Sequence, residues 1–502
     1  ATRPADPAAA AAAAATLWQE TEQAFGEQVG LRVLAEHDLQ ITLERPVPYL
    51  PDLLAYGAFS PVWRPAVEGW PDADAAAWPH GTPPPMDRRR WVRLDPETGR
   101  YRQDHRWARP GRHVGNGPYL LERWRYKRDL RLQRNPFWSR ADREPQADSI
   151  LFLTIEDPNT AILALETGQV DWIIDVGSDA AADLLAQQAA WRQRHAADAG
   201  RDVGADADAR LAALPAPDRR RGERRNAHAT PAFGTDFFSF NCRPRLADGR
   251  ENPFHDAAVR RAFVLATDRR AIVDGVTRLG EPVATTLVPP GSIPGYESPV
   301  GLGHDPERAR SELSAAGWVD RDGDGVPEDA AGTPFPAVEI LYTTTTPRYR
   351  WISIALRDQW RQVLGVPVEL RGVDTKFYRE DLRNGAFMVA RGRWYGDYGD
   401  PTTFLELFRS DDPSNDRGFR DPAVDASLDA AATETDPGRR MQRLAELERT
   451  LFTEHVPMLT LCQLVRVSMH DPVTVRGVGR HPRLVQDLAR VRRVSPELEP
   501  EP

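Results

Sequence analysis

Cysteine is scarce: the 502-residue chain has two, Cys242 and Cys462. No CxxC pair and no Cys/His cluster occurs, so the sequence offers no basis for a structural zinc site. The two thiols form one disulfide or stay as two buried core residues. Lysine is as rare, with Lys127 and Lys376 the only two among 65 basic residues. The arginine bias, with its Ala and Pro richness, reads as a GC-rich coding bias rather than a function. Excess positive charge is missing too. The net charge is −9, which points to neither nucleic acid nor an anionic membrane surface. No apolar run approaches the roughly 18 residues of a transmembrane helix. The Ala8–Ala15 tract is too weakly hydrophobic for a signal-peptide core, and no initiator Met stands at position 1. The chain is therefore expected to begin after a processing site or to be a fragment. G-x-S-x-G, HExxH and any nucleophile–base arrangement are absent, so no enzyme and no cofactor are expected. An enzymatic reading would have to rest on Asp397 and Asp400 as an acid/base pair.

What is present is a chain long enough for two or three domains, with ordinary hydrophobic and charged content. Fourteen Trp suit an aromatic-lined ligand site as well as a core. The first 30 residues read as helical or flexible. Alternation from Gly30 through a His37-Asp38 turn to Leu43 reads as two strands. Residues 70–113 read as an ordered long loop. Strands are expected around 120–124, 130–133, 150–155 and 170–176, with a helix opened by Asp157-Pro158 and closed at Gly168. Residues 186–231, rich in Ala, Arg and Asp, read as a surface insertion, partly helical and partly disordered. From 237 the pattern alternates. Strands fall at 237–241, 338–342, 366–370, 387–391 and 458–469, and helices at 256–270, 305–317, 349–364, 377–384 and 438–454. That alternation predicts an α/β lobe.

The most informative stretch is WYGDYGDPTTFL, Trp394 to Leu405, which follows the strand ending at Arg391. Ligands of open α/β sheets sit beyond the carboxyl ends of strands. Asp397, Arg391 and Trp394 there suit the two charged ends and the body of a zwitterion. Asp400-Pro401 reads as the start of the next helix. Asp320, Asp322 and Asp324 with Gly325 begin a D-x-D-x-D-G calcium loop. Its twelfth position is Ala331, where the bidentate Glu belongs, and Glu328 falls at the ninth. A tight turn is the expected role, with weak calcium binding as the alternative.

These motifs, in order, resemble the family 5 extracellular solute-binding proteins, the peptide and nickel receptors of ABC importers. ERPVPYL with FSPVWRPAVE, GNGPYLLERW with RNPFW, TGQVD, FHDAAVRRAFVLATD, the helix from Asp305 to Gly317, and WYGDYGDPTTFL carry the resemblance. It covers nearly the whole chain apart from 186–231. The resemblance implies a two-lobed periplasmic-binding-protein-like fold (type II, cluster C) joined by hinge strands. Its N-terminal part of lobe one is absent here, by truncation or reduction. The implied division is a remnant of a small extra domain at 1–35, lobe one at 36–241, lobe two at 242–468, and a return to lobe one at 469–502.

Within that family, the resemblance points to the oligopeptide receptors. Asp397 then takes the ligand ammonium. Arg391, and Arg348 in TTTTPRYR, take carboxylates. Trp394 and Tyr398 line the site, and Phe238 and Asn241 stand for the family's lobe-one strand. Cys242 and Cys462 fall near the lobe junction, where a bridge is one outcome. The implied protein is a monomeric, periplasmic or otherwise extracytoplasmic receptor, lipid-anchored or free. Its partners are an oligopeptide or other small solute and the permease subunits. The competing readings are a non-transport sensor, a degenerate lobe docking a protein, and a receptor for a sugar or other non-peptide solute. Nickel is disfavoured because the motif region has no His.

Overall fold

The computed structural model describes residues 7–44, 46–62, 92–94, 101–103, 106–195 and 207–494. The chain divides into two compact units. One takes in 1–47, 57–156 and 487–493; the other takes in 48–56, 157–486 and 494–502. This division cuts differently from the lobe boundaries expected above.

The first unit starts with the helix Pro7–Gln28, then strands β1 (Leu31–Ala35) and β2 (Asp38–Ile41) as an antiparallel hairpin. Two short strands, β3 (Val92–Leu94) and β4 (Tyr101–Gln103), are what is described of the long loop; the rest of 70–113 up to 105 lies outside the described residues. Strands β5 (Tyr119–Arg125), β6 (Asp129–Arg134) and β7 (Ser149–Leu153) form an antiparallel meander. Its RNP turn is closed by one side chain. Asn135 donates to Gly117 O at 2.8 Å and accepts from Phe137 N at 3.0 Å, which ties the turn to the GNGP loop.

The second unit is built on a six-stranded mixed sheet of order β11-β10-β12-β9-β13-β8. Its strands are β8 (Trp172–Ile173), β9 (Ala227–Phe240), β10 (Val338–Thr343), β11 (Val368–Val373), β12 (Val389–Tyr395) and β13 (Met458–His470). β10 runs parallel to β11 and β12, joined through the helices Pro347–Leu364 and Thr375–Asn384. β9 and β13 are long, antiparallel and central. Helix starts follow local chemistry. Asp157, Asp256, Asp305, Asp374 and Asp436 each accept a backbone N–H of their first turn, several with Pro just inside.

Two cores flank this sheet. Phe240, Phe254, Phe263, Phe335 and Trp360 centre one of them, with Phe254 set edge-on to Phe263 at 4.8 Å. Phe233, Phe237, Phe404, Phe408 and Phe452 centre the other. Closely stacked aromatics of this kind add to their area burial.

Several expectations need correction. The strand expected at 237–241 begins ten residues earlier, at Ala227. The surface insertion is largely structural. The helix Ser178–Arg194 buries Trp191 completely, Gln188 holds both backbone groups of Ala227 at 2.6 and 2.9 Å, and 227–231 is central strand. Only 196–206 of that span lies outside the described residues. The strand at 170–176 shrinks to Trp172–Ile173. Cys242 and Cys462 are free, buried thiols, not a bridge.

Candidate functional site

The site is built by the alternation of β12. Arg391, Arg393 and Tyr395 point to one face; Ala390, Gly392 and Trp394 point to the other. The second face is closed by packing. A Cβ on Gly392 would stand 2.3 Å from the Phe237 ring, and one on Gly396 would stand 2.1 Å from Phe233. Glycine at both positions lets β12 lie against these rings. Trp394 follows the same face into the second core, and its indole N–H donates to Thr403 O at 2.7 Å. The indole edge is thus held by the loop's own backbone, and the ring is half-buried.

On the first face a buried quartet of charges gathers. Arg391 grips Asp236 of β9 side-on, Nε to Oδ1 at 3.1 Å and Nη2 to Oδ2 at 2.8 Å. Arg348, second residue of the helix Pro347–Leu364, places Nη2 2.8 Å from Glu281 Oε1 and 3.6 Å from Asp236 Oδ2. Glu281 is itself fixed, accepting from Thr277 Oγ1 at 2.7 Å and Leu279 N at 3.2 Å. The Tyr349 ring lies 3.6 Å from the Arg391 guanidinium carbon, and the Tyr378 hydroxyl donates to Arg391 O. Asp236 is fully buried, and both acids are withdrawn from water. Burial alone would pull the Arg391 pKa down, but Asp236 and Tyr349 beside it hold it above its ordinary value. Cys462 Sγ sits 3.9 Å from Arg348 Nη2; burial and the two acids hold this thiol well above its usual range. One donor of the quartet, Arg348 Nη1, is buried and has no hydrogen-bond partner among the described residues.

The loop after β12 is held at three points. Asp400 is buried and takes Arg440 in a two-bond fork at 2.6 and 2.9 Å. Its Oδ1 also accepts from Thr402 N and Thr402 Oγ1, at 3.1 and 2.7 Å, starting the helix Thr402–Leu405. Gly399 N donates to Asp52, whose carboxylate carries Arg483 at 2.6 and 2.8 Å. Tyr398 stacks on Tyr49, centroids 4.5 Å apart and nearly parallel, and burial raises its hydroxyl pKa. Asp397 is different. It is exposed, its own N–H donates to Thr403 Oγ1 at 3.0 Å, and its carboxylate has no ion-pair partner among the described residues. The result is a free carboxylate on a fixed loop, at the carboxyl end of the parallel strands. That end is where such sheets bind ligands.

Two more expected residues fall elsewhere. Phe238 is fully buried in the first core, so it is unavailable to a ligand. Asn241, also fully buried, donates to Gly385 O and Phe387 O at 3.1 and 2.9 Å and accepts from Arg243 N. It holds the chain together at the start of β12. Asp236, Glu281 and Tyr349 were missed by the sequence reading. The signal for Asp236 was a lone acid inside the aromatic strand TDFFSF, a position no acid occupies without a buried partner.

In the acidic loop, Asp320, Asp322, Asp324 and Glu328 each bring one oxygen within 4.8 Å of the others. All four carboxylates accept backbone N–H groups of the same turn. These bonds account for the Asp spacing as turn chemistry.

The model of the bacterial extracellular solute-binding proteins, family 5, matches residues 2–416. The periplasmic oligopeptide-binding protein of Salmonella typhimurium is 24% identical over 434 residues, which is 84% of this chain and 63% of that protein. The chain therefore spans less than two thirds of that relative's length. The periplasmic murein peptide-binding protein of Escherichia coli is 25% identical over 457 residues, covering 90% of this chain and 68% of that one. In structure, the Escherichia coli murein tripeptide-binding protein aligns with a TM-score of 0.63 at 22% identity, over 93% of this chain and 75% of that chain. This likeness confirms the two-lobed α/β fold class.

Proposed function

The chain belongs to the bacterial extracellular solute-binding proteins of family 5, and from that premise we propose that it is an oligopeptide receptor feeding an ABC importer. In this reading the ligand ammonium is held by Asp397. The single observation that carries it is the carboxylate of Asp397, without an ion-pair partner among the described residues, on a loop held by Asp400–Arg440 and Gly399–Asp52. A receptor for peptides of varied sequence must read what all peptides share, the backbone and its ends. An ammonium needs a positioned carboxylate, and a charge-assisted bond gives the strongest contact. The Tyr398–Tyr49 stack would form one wall beside it.

The lobe boundaries set out above belong to the same reading. The relatives' names support the ligand class: one is called oligopeptide-binding and one murein peptide-binding. The protein acts outside the cytoplasm, as a monomer that hands its ligand to permease subunits, and does no chemistry on it. No helix among the described residues is long and apolar enough to cross a membrane.

The test is native mass spectrometry of the purified protein, followed by denaturation and identification of what is released. A mixture of short peptides is the expected result. A single non-peptide solute would move the specificity, and a protein that is empty and ignores a peptide library would refute the receptor reading.

A further inference from the structure

The quartet on the first face of β12 pairs two arginines with two acids; Arg391, Asp236 and Glu281 are buried and the Arg348 side chain is 10% exposed. We propose that Asp236 and Glu281 set the charge this receptor reads. By neutralising Arg391 and Arg348 from within, they convert the guanidiniums into hydrogen-bond donors for neutral oxygens. The ligand's far carboxylate is then not required. This rests on the peptide-receptor reading and names its ligand class: peptides recognised by ammonium and backbone carbonyls, with a free or blocked C-terminus.

Three observations carry it. First, the side-on edge of Arg391 and one nitrogen of Arg348 are already taken by acids. Arg391 spends Nε and Nη2 on Asp236, and Arg348 spends Nη2 on Glu281. A ligand carboxylate that took the Asp236 edge of Arg391 would leave that fully buried anion unpaired. Otherwise it would be a third anion facing two cations. Second, the pairs are fixed and cannot swing aside as surface pairs do. Asp236 lies on the central strand, Glu281 is held by Thr277 and Leu279, and Arg391 is clamped under the Tyr349 ring. Third, a donor is left over. Arg348 Nη1 is buried and without a partner among the described residues, and an unmet buried donor calls for an acceptor. A carbonyl or hydroxyl oxygen satisfies it without adding charge.

The experiment titrates the full chain by calorimetry with tri-, tetra- and penta-alanine, each as the free acid and as the C-terminal amide, all with free ammonium groups. The wild type is expected to bind acid and amide within threefold of each other. Asp236→Asn, which leaves Arg391 uncompensated, is expected to favour the acid at least tenfold. Glu281→Gln is the second variant. It frees Arg348 while keeping the Asp236–Arg391 pair, and the same preference is expected, so the test survives if Asp236→Asn does not fold. A wild type that prefers the acid tenfold overturns the proposal, as does an unchanged acid-to-amide ratio in the folded variants. If neither variant folds, the wild-type ratio decides. Failure of every acid and amide to bind refutes the peptide reading itself, a distinct outcome.

Discussion

Replacing Asp397 by Asn separates binding from folding more cleanly than any other change. The side chain is exposed and makes no ion pair among the described residues, and the loop keeps its shape through backbone bonds. The Asp397 N–H to Thr403 Oγ1 bond, the Asp400–Arg440 fork and the Gly399–Asp52 bond all survive the change. Stability should therefore move by no more than about 0.5 kcal/mol, as for other surface changes. Binding should move far more. An exposed ion pair is worth up to about 1 kcal/mol, but a hydrogen bond to a charged group sealed from water is worth about 1.5–3 kcal/mol. Loss of the charge on capture of an ammonium therefore predicts at least a tenfold weaker dissociation constant, tenfold being about 1.4 kcal/mol. The assay is calorimetric titration with a released or synthetic peptide, paired with urea unfolding of the same preparations. An N-acetylated peptide should bind wild type and variant alike. A variant whose dissociation constant for the free-ammonium peptide stays within threefold of wild type refutes the assignment.

Arg440→Met leaves Asp400 buried and anionic with only its Thr402 donors, so urea unfolding should show a loss of about 3 kcal/mol, the low end for a broken buried pair. A loss under about 1 kcal/mol would mean that the fork does not hold the loop. Gly396→Ala drives a Cβ into the Phe233 ring, and thermal melting should report a loss of about 1–3 kcal/mol, with none if β12 can slide. Glu448 is fully buried, bonded to Tyr296 Oη at 2.5 Å and to Leu287 N and Val288 N, and no ion pair to it is found among the described residues. Burial pushes its carboxyl up to about 7, against the pull of those bonds. A folded pKa above the unfolded value means that its stabilising contribution is full below the ordinary range of about 4.5 and is lost as pH rises through 7. The melting temperature of Glu448→Gln relative to wild type should therefore be higher at pH 8 than at pH 5, and a constant difference across that range would refute the shift.

The parts of this molecule that were legible in its sequence are those whose causes are local. Asp157-Pro158, Asp305-Pro306, Gly365 and the 3.6-residue periodicity between Pro347 and Leu364 act within one turn of the chain, and the helices stand where they point. The long strand β9 was read too short because it carries buried polar residues: His228 and Thr230 are buried, and each interrupts the apolar pattern that would have marked 227–236 as core. Such residues are tolerated only through partners that no local window holds. His228 lies stacked on His470 at 3.9 Å, and Gln188 answers the backbone of Ala227 from 39 residues away.

The site divides along the same line. Asp397 could be singled out because a carboxylate between two glycine-containing turns after a strand is a local feature. The state of Arg391 could not be read, since its partner Asp236 is 155 residues distant and enters only through the antiparallel pairing of β12 with β9. In that register Asp236 faces Arg393 and Phe238 faces Arg391, so the fork reaches diagonally across the ladder. A one-residue slip of β12 would turn Arg391 into the second core and leave Asp236 without its cation. Burying a carboxylate on the central strand therefore penalises the wrong register. The Asp236–Arg391 pair thus locks the strand from which the Asp397 loop leaves, so the position of that loop is tied to the pairing of the sheet.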